Sequence, residues 1–468
     1  MTEIIRQKLS ESKGARWTAL LIVAFTMMMG YFFTDVASPL STILKQSAAQ
    51  GGMGLGWTSS EYGFFAGSYS FINIFLLMLF FGGIILDRMG IRFTGIMATA
   101  LMFVGALIKF YAIAFINPAD TIEPCFTIFG LLPSPVKMQV LIASLGFAIF
   151  GVGCEITGIT VSKIITKWFT GHELALAMGI QVALARLGTA AALSVSPMIA
   201  ISFKNLSTPI LFGAAMLLIG FLSFFVYIVM DKKLDASTAE LNTGNDDAEE
   251  DKFKFSDLGV IFKNPGFWLI AFLCLLFYSG VFPFLKFASD LMVNKYGVSA
   301  KWAGWIPSIL PYGTILLTPI FGTIYDKVGK GATLMLIGSM MLTACHILFA
   351  LPILNTVWFA IIIMIFLGIS FSLVPSAMWP SVPKIIPMKQ LGSAFALIFF
   401  IQNIGLMLVP MLIGQVIQSH TAADGSVDFT VPMMIFACFG IAAIVLAIAL
   451  RILDSKKKYG LEQANIKK

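Results

Sequence analysis

The sequence predicts an all-α, polytopic membrane protein: twelve transmembrane helices in two pseudo-symmetric six-helix bundles. Three observations predict it. Of the 468 residues, 58% are hydrophobic and only 12% are charged, about half the charged share of a soluble protein. Twelve apolar stretches reach the roughly twenty residues that a bilayer crossing needs. A charged loop signature also recurs in both halves of the chain.

Taken in order, a polar start at 1–16 runs straight into a full-length span, so no cleavable signal is expected. The predicted spans are 17–38, 59–86, 93–115, 138–165, 173–201 and 209–230 in the first half. Those of the second half are 265–291, 300–325, 332–352, 356–383, 390–418 and 430–452. The expected organisation is therefore a tail at 1–16, a bundle at 17–230, a linker at 231–264, a second bundle at 265–452 and a tail at 453–468. The linker holds the acidic run Asp246 to Asp251 and reads as a solvated segment or surface helix. No polar stretch is long enough to bury a core of its own.

Basic residues predict the orientation. With both termini on one side, 23 of the 31 lysines and arginines fall on that side, 5 on the other and 3 within spans. That bias places both termini in the cytoplasm. The net charge of +7 follows from these loops and gives no reason to expect nucleic-acid binding.

The repeat is read from two echoes. Gly83-Ile-Ile-Leu-Asp87-Arg88-Met-Gly90 and Gly322-Thr-Ile-Tyr-Asp326-Lys327-Val-Gly329 share one pattern at an offset of 239 residues. Lys163-Ile-Ile echoes Lys384-Ile-Ile, and Ala185-Arg186-Leu-Gly188 echoes Gln402-Asn403-Ile-Gly405. Two echoes in the same order point to a duplicated six-helix unit, which places a substrate between the halves near mid-membrane. The Asp-basic-x-Gly loops, with Asp87, Arg88, Arg92, Asp326 and Lys327, are candidate gates. They put a carboxylate and bases at a helix end, where they can bind a neighbouring terminus in one conformation and release it in another. The plainer reading is a tight turn carrying inside-positive charge.

The centre of the prediction is Glu155 and Arg186, one ionisable residue in each of two neighbouring spans. At about 1.5 Å per residue they lie roughly 15 and 20 Å from the turn that joins those spans. A charge at such depth costs about 3 kcal/mol on insertion scales, so by default it marks a binding site or ion path. A salt bridge that merely staples two helices is the competing reading. Where Arg186 and Glu155 stand, the second half has Asn403 and Ser376, which concentrates the charge of the site in the first half.

Asp35 near the far end of span one is a further candidate. Lys286 and Asp290, one helical turn apart, are candidates too, with a pair made to each other as the equally weighted plainer reading. Tyr31, Tyr278, Phe282, Phe284 and Trp379 are candidate cavity aromatics, with lipid-facing or packing roles as the alternative. Pro283, Pro375, Pro380 and Pro383 are expected to break or bend their helices. Five cysteines and three histidines are scattered without metal spacing. No metal, cofactor, nucleophile–base pair or phosphate loop is expected, and hence no enzyme.

The paired loops and the two six-span halves resemble the major facilitator superfamily. A narrower set of motifs is similar to its lysosomal dipeptide uniporter family. These are Gly30-Tyr-Phe-x-x-Asp35, Phe81-Gly-Gly-x-x-x-Asp87-Arg88, Lys167-Trp-Phe-x-Gly-x-Glu-Leu174, Ala185-Arg-Leu-Gly188, Val281-Phe-Pro-Phe284, Ala377-Met-Trp-Pro380, Gln390-Leu-Gly392 and Ile401-Gln402-Asn403-Ile-Gly405. They cover most of the membrane core. The resemblance implies the major facilitator fold and dipeptide transport by rocking of two halves. It assigns Glu155 and Arg186 to the peptide's two ends.

The chemistry agrees: a guanidinium can fork a carboxylate while Glu155 accepts from an amine. The expected function is transport of a small zwitterion, a dipeptide, by uniport and as a monomer. Substrate contacts are expected from Glu155, Arg186, Tyr31, Asp35, Tyr278, Phe282, Trp379, Gln402 and Asn403. Two other functions are open. One is a proton-coupled or exchange transporter of a small organic anion or nitrate, with Arg186 as the anion site and a proton as the candidate coupling ion. Glu155 could titrate, but an acid engaged by an arginine or amine is a poor shuttle. The other is a ligand sensor, although no soluble output domain is visible. No acidic dileucine stands in the N-terminal tail, and the sequon at Asn205-Leu-Ser207 lies close to the membrane. A bacterial-type cytoplasmic membrane is therefore expected over a lysosomal one.

Overall fold

A computed structural model describes residues 9–47, 52–124, 130–239, 258–353, 355–387 and 390–466. Cys125 and the acidic run of the linker lie outside the described residues. Among the described residues the fold is helical apart from one two-stranded ribbon, β1 (Thr121–Ile122) with β2 (Val136–Lys137), and a single bridge between Thr421 and Val427.

In the first half, α1 (Lys13–Asp35) leads into the short α2 (Ser41–Lys45), then α3 (Ser59–Gly67), α4 (Phe71–Phe75) and α5 (Met78–Phe115). They are followed by α6 (Met138–Phe169), α7 (Leu174–Phe203) and α8 (Ser207–Ala239). The short α9 (Leu258–Phe262) precedes α10 (Pro265–Tyr296), α11 (Trp305–Val328), α12 (Gly331–Ala350), α13 (Val357–Ile385), α14 (Leu391–Ser419) and α15 (Thr430–Lys457). Eleven of the described helices are long and apolar enough to span by themselves. The crossing expected at 59–86 is broken. It starts with a capping box, Thr58 with Glu61, tightens to a 3₁₀ turn at Ser68–Ser70, and kinks at Leu77, whose φ is 51°. It resumes as the first part of α5, which Gly90 at φ 76° divides into two helices.

Several helices outrun their expected ends: α8 continues to Ala239, α10 to Tyr296 and α15 to Lys457. These extensions carry polar residues that hydropathy excludes but helical hydrogen bonding tolerates. The prolines do not break their helices. Pro283 lies within α10, and Pro375, Pro380 and Pro383 lie within α13, because packed neighbours can re-satisfy a freed carbonyl inside a bundle.

In the first bundle α1 packs on α7 and α8, and α5 on α6 and α8; in the second, α12 packs on α13 and α15, and α10 on α14 and α15. The bundles meet along α3 with α14 and α7 with α11. Each of those contacts maps onto the other when the chain is advanced by six spans, as pseudo-twofold symmetry requires. At the first contact the backbones touch: a Cβ on Gly63 would lie 2.4 Å from the Pro410 carbonyl oxygen and 2.9 Å from Gly414 Cα. Small residues permit such approach.

Every hydrogen bond or ion pair between the halves, among the described residues, lies at mid-depth or on the side away from the termini. Examples are Lys286–Asp35, Lys45–Asp290, Tyr62 to the Lys286 carbonyl and Ser59 to Gln418. The halves are thus closed on this far side and parted on the terminus side.

On the terminus side each half is tied internally. In the first, Asp87 pairs with Lys163 at 3.2 Å. In the second, the corresponding groups are taken by the C-terminal tail. Asn465 donates to Asp326 at 2.7 Å, and Lys384 donates to the Gly460 and Gln463 carbonyls at 3.1 and 3.0 Å. Glu462 accepts from Thr333 at the start of α12.

Candidate functional site

A cavity of about 700 Å³ lies between the halves. Its closed end is at Asp35 and Lys286, and it runs toward Met178 and Pro319 on the terminus side. All nine residues expected to contact substrate stand in its wall: Tyr31, Asp35, Glu155, Arg186, Tyr278, Phe282, Trp379, Gln402 and Asn403. So do Tyr69, Thr34, Gln181, Thr189, Lys286 and Phe371, none of which the sequence singled out for this wall.

Glu155 is held from the first half. Tyr69, in the 3₁₀ turn that breaks the second crossing, donates its hydroxyl to Glu155 Oε1 at 2.9 Å. The turn comes close because α6 has glycine one helical turn earlier. A Cβ on Gly151 would lie 2.1 Å from the Tyr69 carbonyl oxygen. Arg186 instead reaches across the cavity. Its guanidinium carbon lies 5.5 Å from the Phe282 ring and 5.1 Å from the Phe371 ring, both of the second half. Arginine over aromatic faces is attracted by about 0.5–2 kcal/mol per ring, more when water is excluded. No ion pair joins Glu155 to Arg186 among the described residues. The staple reading therefore fails, and both charges remain available to the cavity.

The second half supplies a neutral wall. Trp379 Nε1 donates to the Tyr278 hydroxyl at 3.0 Å, and Tyr278 packs on Phe282 and Phe371. Asn403 accepts from Ser70 across the interface at 2.7 Å, and Gln402 accepts from Cys274. Phe284 is a correction: it is fully buried and packs on His346, Phe349 and Phe436 away from the cavity. On a helix it sits two residues from Phe282, so it faces another way.

Of the two readings of Lys286 and Asp290, the mutual pair is not made. Lys286 binds Asp35 at 2.6 Å, and Asp290 binds Lys45 and Thr42. Both partners come from the first half. A lysine preceding its acid by four residues is the weaker helical order, so the facing charges win.

Of the gate residues, Asp87 holds Lys163 and Arg92 holds Asp231 at 2.6 Å and also Asp235. Lys167 joins the same two acids. Asp231 is fully buried, although its sequence position reads as the start of a linker. Arg88 and Lys327 make no hydrogen bond or ion pair among the described residues, and Asp326 binds the tail.

Comparison with known proteins gives the family. The description "Major Facilitator Superfamily" matches residues 20–410 and 289–465. The chain belongs to that superfamily. It is a secondary transporter of small organic solutes working by alternating access, and not an enzyme. It is 26% identical over 417 residues to the lysosomal dipeptide transporter MFSD1 of Bos taurus, covering 86% of this chain and 80% of that one. The Homo sapiens protein of the same name is 25% identical over the same shares. Six such relatives, all vertebrate, lend no support to the expected bacterial-type origin. Among solved structures, the nucleoside transporter NupG superposes with a TM-score of 0.65 at 15% identity, covering 94% of this chain and 98% of that one. A POT family transporter in complex with 5-aminolevulinic acid gives 0.64 at 15% identity, covering 94% and 96%. At these identities the structures speak for the fold alone.

Proposed function

We propose that this superfamily member moves dipeptides and other short peptides by uniport, with Glu155 receiving the peptide amine and Arg186 the peptide carboxylate. The observation that carries the reading is that two opposite charges face one cavity without joining each other. Each is held by a partner that leaves its charge uncancelled, Tyr69 for Glu155 and two rings for Arg186. A zwitterion supplies both missing countercharges, and hydrogen bonds to charged groups contribute about 1.5–3 kcal/mol each. The cavity volume of about 700 Å³ lies within the usual range for small ligands. The curated relatives, named as dipeptide transporters, point the same way.

Reading only the ends leaves side-chain identity loose, so Tyr278, Phe282 and Trp379 offer an apolar wall to many side chains. Gln402, Asn403 and Tyr31 supply neutral polar contacts, and Asp35 closes the far end. One chain completes the site, so a monomer suffices. With both termini in the cytoplasm, as 23 basic residues against 5 support, this form opens inward.

The test is a thermal-shift screen of the purified protein, followed by flux into vesicles. A ligand that binds the native fold raises its melting point. Dipeptides should do so, while N-acetylated dipeptides and free small anions should not. Equal stabilisation by the acetylated peptides or by a simple anion would assign the site to anion transport instead.

A further inference from the structure

Lys109 has no part in the reading above. It stands on α5, six residues before the far-side end of that helix, and is 0% exposed. Among the described residues its Nζ has no hydrogen-bond partner. What surrounds it is aromatic: Nζ lies 4.6 Å from the Phe33 ring of α1, 5.0 Å from Phe65 of α3 and 4.3 Å from Phe147 of α6. At its base α5 packs closely on α6: a Cβ on Gly146 would lie 2.6 Å from Lys109 N.

Two charged groups act on it, Lys286 from α10 and Asp35 from α1. Lys286 Nζ lies 5.9 Å from the same Phe147 ring, and it holds Asp35 at 2.6 Å. Four other ionisable groups on the packed elements are already engaged. Glu61 of α3 accepts from the Thr58 and Lys137 amides, and Tyr62 donates to the Lys286 carbonyl. On α6, Glu155 accepts from Tyr69. On α10, Asp290 is bound to Lys45.

A buried ammonium with no acceptor is strongly disfavoured. Ring faces attract a cation, but they do not replace hydrogen bonds, and here a second cation shares one of the rings. A neutral amine suits this box. The balance changes when the far side opens. Lys286 then leaves with the second half, while Asp35 and Lys109 stay together in the first. Asp35 loses its countercharge, and Lys109 loses the second cation at its Phe147 ring. We propose that Lys109 is a proton-binding site, empty while the far side is closed and filled when it opens, its ammonium then balancing the freed Asp35. The step is simple protonation of the amine by a proton from the far-side solution, and closing returns it. It needs alternating access only and holds whether or not the substrate is a dipeptide.

The sign follows. Opening takes up one proton, so acid on the far side favours the open form, by up to about tenfold in the open-to-closed ratio per pH unit. The experiment places spin labels at Ala119→Cys and Ala423→Cys, exposed positions in far-side loops of opposite halves, with Cys125 and Cys438 replaced by serine. The distance distribution is measured between about pH 5 and about pH 9, a range that brackets shifted amines. The long-distance fraction should rise as pH falls. Lys109→Met should make it low and flat with pH, and Lys109→Arg high and flat. Melting curves confirm that each variant is folded, and Lys109→Gln stands in for the methionine variant if that one is not. A pH slope that survives in the methionine or glutamine variant, or no slope with lysine present, overturns the proposal.

Discussion

The Asp35 carboxylate of the first half holds the Lys286 ammonium of the second at 2.6 Å, at the closed end of the cavity. Four residues further along α10, Asp290 holds Lys45 with the signs exchanged. The far side is therefore latched by two oppositely oriented bridges that share one helix. Asp35→Asn should release it, because removing one partner of a buried pair costs about 3–5 kcal/mol. The long-distance fraction between far-side spin labels should rise at least tenfold. The exchanged pair Asp35→Lys with Lys286→Asp should restore part of the closed form.

Arg186→Lys should behave almost as badly as Arg186→Ala. Lysine keeps the charge but loses the fork and the flat face that rests on Phe282 and Phe371. Uptake of a dipeptide by vesicles should fall more than tenfold in both variants. Near-normal uptake with lysine would show that charge alone suffices.

Tyr69→Phe should weaken dipeptide binding less than Glu155→Gln does. The first removes one hydrogen bond to a charged acceptor, worth about 1.5–3 kcal/mol; the second removes the charge proposed to meet the amine. Thermal-shift titration should rank the native protein first, Tyr69→Phe next and Glu155→Gln last. A reversed order would place the amine elsewhere.

Gly63→Leu should prevent closure on the far side without unfolding either half. A Cβ there already falls 2.4 Å from the Pro410 carbonyl oxygen, and a leucine adds three more carbons. Spin labels should report a far side fixed open, with a melting transition retained and flux abolished.

Glu462→Ala should loosen the C-terminal tail, since Glu462 accepts from both the amide and hydroxyl of Thr333. Losing a helix-terminal carboxylate contact of this kind costs about 1 kcal/mol, so the melting point should drop by a few degrees. Protease cleavage after Lys458 should become faster.

The crossings were legible because hydropathy needs only composition, and Glu155 and Arg186 because ionisable residues stand out in apolar runs. The broken second crossing was not. Its break depends on Leu77 in a left-handed conformation and on Ser68–Ser70 tightening to 3₁₀, and neither leaves a mark in hydropathy. The same bend carries Tyr69 to Glu155, so the acid could be seen in sequence while its holder could not. Local spacing suggested Lys286 with Asp290, whereas the choice was made by charges more than 240 residues away in the chain. Phe282 and Phe284 read alike as letters; helical rotation sends one to the cavity and the other to the core.

Arg186 belongs to the first half by sequence and rests on aromatic rings of the second. The cation that would greet an incoming solute is therefore also part of the joint between the two moving bodies. Drawing it off those rings loosens the joint, and leaving it there keeps the joint made. Under the proposed reading, occupancy and shape would be read by a single side chain, with no separate messenger between them.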